Sequence, residues 1–204
     1  MKNIIVIQHT QAVHHINGMI GSLTEWELTD FGKAQAECIG KNMVAFVGNK
    51  EYVMYSSNQI RARQTADIIG RYLGLGYTTD DRLREQDLGE AVGKSIEWAN
   101  KNTIVWMKEV DDRPFNGAET KRDKWTKLLP FVNQILESDD ENIIIISHGG
   151  TISIFAAIWL GLEIEALNNS NLDSSAGGVS IFQEDSDGKH TIKRLNDMSF
   201  LKDM

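Results

Sequence analysis

The chain has one cysteine, Cys38, and only two prolines. A lone thiol forms no internal disulfide and builds no multi-thiolate metal site, so the chain suits a reducing compartment. Basic runs are missing as well. The formal charge is -8, from 21 Lys and Arg against 29 Asp and Glu. No cluster of cations is present to grip a nucleic-acid backbone or an anionic membrane. No apolar stretch approaches a membrane span, and the four apolar residues after Met1-Lys2-Asn3 are too few for a signal peptide. The expectation is a cytoplasmic protein with no nucleic-acid and no membrane partner. Internal repeats, low-complexity tracts and long linkers are also absent, so residues 1–204 are expected to form one domain. At 41% apolar composition, 204 residues suffice for one sizeable core.

What is present is an alternation of short β-branched runs with helical patterns. Ile4 to Ile7 and Ile143 to Ile146 read as buried parallel strands, and Tyr52 to Tyr55 as a third. Thr10 to Leu28 lacks a clean period and is expected to lie as a loop over the strand ends. Thr29 can cap a helix carrying Phe31, Ile39, Met43 and Phe46. From Arg61 onward, Ala62, Thr65, Ala66, Ile69, Tyr72 and Leu73 fall at three- and four-residue steps, the spacing of one buried helix face. Thr78 to Val92 reads as polar loop with a short strand or turn, and Lys94 to Val110 as a helix with Trp98 and Trp106 inward. A helix over Ala118 to Glu137 is expected to kink at Pro130, and an apolar helix over Thr151 to Leu160 comes after the last buried strand. Gly178 to Gln183 and Thr191 to Leu195, separated by a turn at 184–188, read as an antiparallel hairpin with His190 on the surface. The order implies an α/β fold, a mostly parallel sheet with an antiparallel edge and helices on both faces.

Two of the strands end at histidines, His9 and His148, and the third leads into Arg61. Open α/β sheets place ligands at that carboxyl edge. The planar fork of Arg61 matches phosphate oxygens, and the amides of Gly149-Gly150 can approach an anion closely at a helix start. Histidine can act as a covalent nucleophile when neutral on the attacking nitrogen and oriented through the other. Arg61 and a protonated His148 would neutralise charge on a transferring phosphoryl group. An acid is still needed for the departing alkoxide. Glu85, in the polar segment from Leu83 to Gly89, is the first candidate and Asp87 the second.

The segments Gln8-His9-Thr10, Ser57 to Ala66 with its Arg-Ala-Arg-Gln-Thr-Ala core, Leu83-Arg84-Glu85 with Gly89, Asn116 to Thr120 and Ser147-His148-Gly149-Gly150 come in an order that resembles the histidine phosphatase superfamily, also called the phosphoglycerate mutase-like family. Leu28 to Ala36 is similar to that family's helix start. The resemblance implies a three-layer α/β/α fold in which His9 becomes phosphorylated, Arg61 and His148 bind phosphoryl oxygens, and Glu85 is proton donor and later general base. It implies no metal and no organic cofactor, and a small phosphorylated metabolite as partner. The implied function is a phosphatase acting on a small phosphomonoester. The alternatives are mutase-type phosphoryl transfer and a pseudoenzyme that binds phospho-ligands without turnover. Bisphosphate-primed mutases of this fold tend to be longer, which favours hydrolysis for a chain of this size. Oligomeric state stays open between monomer and homodimer.

The first motif departs from the family pattern of Arg-His-Gly with Asn five residues later. Gln8 replaces the arginine, Thr10 the glycine, and His15 occupies the asparagine position. A charge-assisted phosphate contact is roughly twice as strong as a neutral one, so Gln8 is expected to weaken turnover. Gln8, His15 and Gly149 join Arg61 and His148 as expected phosphate-binding residues. His15, with His14, is expected to restore part of the missing positive charge.

Overall fold

A computed structural model describes residues 1–202 and 204 of the chain. In chain order it contains β1 (Asn3–Gln8), α1 (Asp30–Val47), β2 (Val53–Ser56), α2 (Ile60–Leu73), β3 (Thr78–Thr79), α3 (Ile96–Asn102), α4 (Lys121–Glu137), β4 (Asn142–Ser147), α5 (Gly149–Trp159), β5 (Val179–Glu184) and β6 (His190–Asp197). The six strands form one sheet in the order β3-β2-β4-β1-β5-β6. The first four are mutually parallel, while β5 and β6 are antiparallel additions at one edge.

Alternation along each strand explains the three layers. Ile4, Val6, Ile143 and Ile145 point to the face covered by α4 and α5, where they meet Leu128, Phe131, Val132, Phe155 and Trp159. Ile5, Ile7, Ile144 and Ile146 point the other way, onto Ile39 and Met43 of α1 and Ala62, Ala66 and Ile69 of α2. Both faces of β1 and β4 are therefore dry, which is why their sequences are unbroken apolar runs. Each fully buried isoleucine contributes about 1.5–3 kcal/mol, so these two strands anchor the sheet and hold the residues at their carboxyl ends in place.

Local capping sets the helix starts. Thr29 Oγ1 accepts from Gly32 N at 3.0 Å at the head of α1. Thr120 and Asp123 form a reciprocal capping box that starts α4 at Lys121, three residues later than the apolar pattern places it. Pro130 lies inside α4, which continues to Glu137. The expected long helix over Lys94 to Val110 is a correction: only Ile96–Asn102 is helical, and Trp106 is 61% exposed. The β-branched Thr103-Ile104-Val105 disfavours continuation, and Ile104 N instead donates to Pro114 O at 2.8 Å. Trp98 packs against Phe115 as expected of an inward residue. His190 is half-buried, stacked on Trp159 at 4.0 Å, so it is not the surface residue the hairpin pattern implies.

Candidate active site

Register brings the two histidines together. Because Gln8 pairs with Ser147 in the parallel β1–β4 ladder, His9 and His148 emerge side by side at the carboxyl edge, and His9 N donates to Ser147 O at 2.9 Å. Their ring centroids are 5.0 Å apart in an edge-on arrangement. Arg61 arrives from the first turn of α2, directly after β2. His9, Arg61 and His148 are all buried, at 2%, 1% and 0% exposure.

The hydrogen bonds of His9 assign its tautomer. Nδ1 lies 2.8 Å from Thr10 O, and a carbonyl only accepts, so Nδ1 carries the proton. Nε2 therefore holds the lone pair and accepts from Arg61 Nε at 3.1 Å. The remaining guanidinium nitrogens are anchored by the loop over the strand ends: Nη1 donates to Thr24 O and Nη2 to Ser22 O, both at 2.7 Å. Ser22 adopts a positive φ of 39°, a strained backbone for a non-glycine residue. Its carbonyl also accepts from Gln59 Nε2 at 2.8 Å.

Burial holds the imidazoles uncharged. The pKa of His9 lies well below 6.5, first because burial penalises the charged form and then because Arg61 repels a second positive charge. His148 is lowered well below 6.5 by burial, then Arg61 and His9. His148 therefore does not start as the protonated group expected from the sequence. It presents Nε2 to Ser57 Oγ at 2.8 Å, while its buried Nδ1 has no partner. Arg61 is itself lowered, to about 10, chiefly by burial, and remains the fixed cation.

His15 stacks on His9, centroids 5.4 Å apart and planes 10° off parallel, and its Nδ1 accepts from Ala12 N at 3.1 Å. Burial and Arg61 lower its pKa too, and burial, His15 and Arg61 push His14 down to about 3. The loop histidines thus supply no positive charge near neutrality. Gln8 is 7% exposed, with Oε1 buried and unpaired, and a Cβ on Gly149 would meet that oxygen at 3.1 Å.

Glu85 reaches the same helix start from another side. Its carboxylate accepts from Gly150 N at 3.2 Å and Gln86 N at 2.9 Å, and its backbone N donates to Gln59 Oε1 at 2.8 Å. Asp87, the second acid candidate, is used locally, accepting from Gly89 N at 2.8 Å. A cleft of about 370 Å³ opens beside Glu85, lined by Leu23, Arg84, Asp87, Lys124 and Lys127. A larger cavity, about 670 Å³, lies between Val47–Val53 and Asp139–Asn142, at the opposite end of the sheet from these groups.

Gly150 keeps that carboxylate seated: a Cβ there would lie 2.7 Å from Glu85 Oε1. Gly150→Ala is expected to displace this carboxylate; with Glu85 as the general acid expected from the sequence, kcat on alkyl phosphates falls about 100-fold, the usual share of such catalysis. Nitrophenyl phosphate, whose leaving group needs no proton, is expected to lose far less. Equal losses on both would contradict this placement.

His9, Arg61, His148, His15, Gln8, Gly149 and Glu85 thus gather around one carboxyl edge. Ser57, Gln59 and Ser22 were not among the site residues expected from the sequence. Ser57 and Gln59 sit within the segment Ser57 to Ala66 that carried the resemblance, whereas Ser22 acts through its backbone carbonyl and leaves no side-chain signal.

The three-layer fold sets paired imidazoles and an arginine, all buried, at the carboxyl edge of a mostly parallel sheet, the ligand-binding edge of α/β enzymes. The profile of the histidine phosphatase superfamily (branch 1) matches residues 4–198, and the chain belongs to that superfamily. It is 30% identical over 200 residues to a protein named putative phosphoserine phosphatase 2 from Hydrogenobacter thermophilus, covering 96% of each chain. It is 25% identical over 186 residues to a 2,3-bisphosphoglycerate-dependent phosphoglycerate mutase of Nitrobacter winogradskyi, covering 85% of this chain and 88% of that one. The fold matches a mycobacterial glucosyl-3-phosphoglycerate phosphatase with a TM-score of 0.81 at 20% identity, covering 96% and 99% of the two chains. An alpha-ribazole phosphatase from Shigella flexneri matches with a TM-score of 0.82 at 19% identity, covering 96% of each. The chain is a phosphomonoesterase-type enzyme of this superfamily. The mutase match removes the length argument for hydrolysis, because a mutase of similar length aligns almost end to end.

Proposed function

We propose that the chain hydrolyses a small phosphomonoester through a phosphohistidine at His9. As the ester binds, Arg61 Nε turns from His9 Nε2 to a phosphoryl oxygen; His9 Nε2 then attacks phosphorus, the Nε2–P bond forms as the ester P–O bond breaks, and Glu85 gives its proton to the departing alkoxide. Water then attacks phosphorus, the P–Nε2 bond breaks, and Glu85 takes the water proton. Arg61, His148, His15, Gln8 and the Gly149 amide hold the phosphoryl oxygens. His148 is kept neutral first by burial and then by Arg61 and His9, and an approaching dianion favours its charged form, so proton uptake accompanies binding. One observation carries this reading: His9 is locked with its proton on Nδ1 and its lone pair on Nε2, 3.1 Å from a buried guanidinium. No metal or organic cofactor takes part in these steps.

Support for hydrolysis comes from the 30% relative named as a phosphatase. The cleft beside Glu85 carries Arg82, Arg84, Lys124 and Lys127 together with Asp81, Asp87 and Glu119 and singles out no leaving group; phosphoserine and 3-phosphoglycerate are the first substrates to test because relatives are named a putative phosphoserine phosphatase and a phosphoglycerate mutase. The pseudoenzyme reading is favoured by one feature, the unpaired Gln8 Oε1 where a cation would serve better. A cytoplasmic location accords with the single cysteine and with the absence, among the described residues, of any helix long and apolar enough to cross a membrane. The charge of -8 accords with no nucleic-acid partner, and the chain acts as a monomer or homodimer.

Phosphate release and isomer exchange are to be followed together with 3-phosphoglycerate, and phosphate release with phosphoserine. Stoichiometric phosphate without the 2-phospho isomer is expected. Isomer formation ahead of phosphate would establish a mutase, and neither product from any phosphomonoester in a broad panel would establish the binder.

A further inference from the structure

Three imidazoles crowd the loop side of the site, and the hydrolytic steps give no role to one of them, His14. One ring nitrogen from each of His9, His14 and His15 lies within 4.8 Å of the others. The His14 and His15 centroids are 4.0 Å apart, and each ring is within 5.7 Å of His9. His14 Nδ1 is buried with no hydrogen-bond partner, although buried polar atoms ordinarily have one. Sequence motif and hydrolytic chemistry leave this nitrogen unexplained.

We propose that His9, His14 and His15 form a three-nitrogen site for a divalent transition-metal ion of the zinc type, and that the ion and a phosphoryl group exclude each other at His9 Nε2. Neutral imidazole is the commonest protein ligand for such ions, and three protein ligands with a fourth position open is a common zinc arrangement. Bond lengths of about 2.0–2.1 Å imply nitrogen separations of roughly 3.3 Å in a tetrahedral site. His9 is fixed by its two hydrogen bonds, so His14 and His15, on the more exposed loop, make the closing movement.

Coordination exchanges two existing hydrogen bonds. Arg61 Nε must release His9 Nε2, whose single lone pair cannot serve both. Ala12 N must release His15 Nδ1: ligation through Nδ1 takes that lone pair, and ligation through Nε2 moves the proton onto Nδ1. Ser22 O and Thr24 O keep the Arg61 charge close, so the guanidinium is the ion's competitor as well as the phosphoryl group's holder. The ion is thus an inhibitor and not a cofactor. Metal binding stands independently, whereas the inhibition rests on the phosphatase reading.

The test is equilibrium dialysis of the metal-free full chain against Zn²⁺ in phosphate-free buffer, with Co²⁺ absorption to report coordination geometry and circular dichroism to confirm folding of each variant. One ion per chain is expected. His14→Ala and His15→Ala should each weaken binding at least about tenfold, Cys38→Ser should leave it unchanged, and Arg61→Gln should tighten it. No stoichiometric binding by the parent, unchanged affinity in both histidine variants, or an equal loss in Cys38→Ser overturns the site. Unchanged affinity in Arg61→Gln overturns the displacement of Arg61 from His9 Nε2, and Zn²⁺ inhibition of phosphate release that rising ester concentration does not relieve overturns the mutual exclusion. A chain that binds Zn²⁺ without hydrolysing esters loses only the phosphatase reading, and one that hydrolyses without binding Zn²⁺ loses only this proposal.

Discussion

His9→Ala is expected to reduce phosphate release from any accepted phosphomonoester by about 10⁴- to 10⁶-fold, the range seen when a covalent nucleophile is removed from a site that still binds its substrate. The locked tautomer is the reason for the loss. Among the imidazoles, His9 combines a lone pair on Nε2, a carbonyl fixing the proton on Nδ1 and a guanidinium beside the reacting position. His148 has no carbonyl fixing its proton: its Nε2 faces a hydroxyl that can donate or accept, and its Nδ1 has no partner. Single-turnover and steady-state rates, with circular dichroism to show an intact fold, provide the measurement. A residual rate within tenfold of the parent would mean that phosphorus is attacked by water directly or by a different side chain.

The second large effect is on stability. His9 and His148 have folded pKa values well below the unfolded value of 6.5, so below that pH the unfolded chain binds protons that the folded chain refuses. Their contribution is intact above about pH 6.5 and is lost as pH falls, at up to about 1.4 kcal/mol per pH unit for each ring that stays neutral. Both rings together give nearly 3 kcal/mol per unit, large against a typical total of about 5–15 kcal/mol, and His14 and His15, also lowered but partly exposed, add a smaller, solvent-screened share in the same window. The carboxylates held low by arginine partners, Asp80 and Asp111 among them, titrate below this window and do not blur it. Urea midpoints are expected to hold steady from about pH 8 to 7 and to fall steeply from about pH 6.5 to 5. His148→Gln should remove roughly a quarter to a third of that slope, because His14 and His15 are lowered as well and titrate in the same window. A flat profile down to about pH 5 would mean that both rings protonate freely in the folded state.

How much of this was legible in the sequence depends on whether the signal is local. β1 and β4 are apolar on both faces, so their runs stand out, and a residue that ends such a run must sit at the sheet edge; His9 and His148 were readable for that reason. Arg61 and Glu85 were readable only in combination, from the order of motifs. The helix expected over Lys94 to Val110 failed because spaced tryptophans mimic a helical face, while β-branched Thr103 to Val105 and the pairing of Ile104 with Pro114 ended α3 early. Charge states were not readable at all. His15 and His148 were expected to carry positive charge, but burial and the proximity of Arg61, both tertiary properties, keep them neutral. The carbonyls of Ser22 and Thr24 that anchor Arg61 have no side-chain signature, and the loop that presents them lacks a period.

Chemical trapping at His9 tests the mechanism most directly. The chain is mixed briefly with ³²P-labelled phosphoserine or another accepted ester, quenched in alkali to preserve phosphoramidate bonds, digested and mapped by mass spectrometry. The expected result is label on the peptide containing His9, lost in acid and absent from His9→Ala. Rapid phosphate release with no label on His9 at any mixing time, or label on a different side chain, would contradict it.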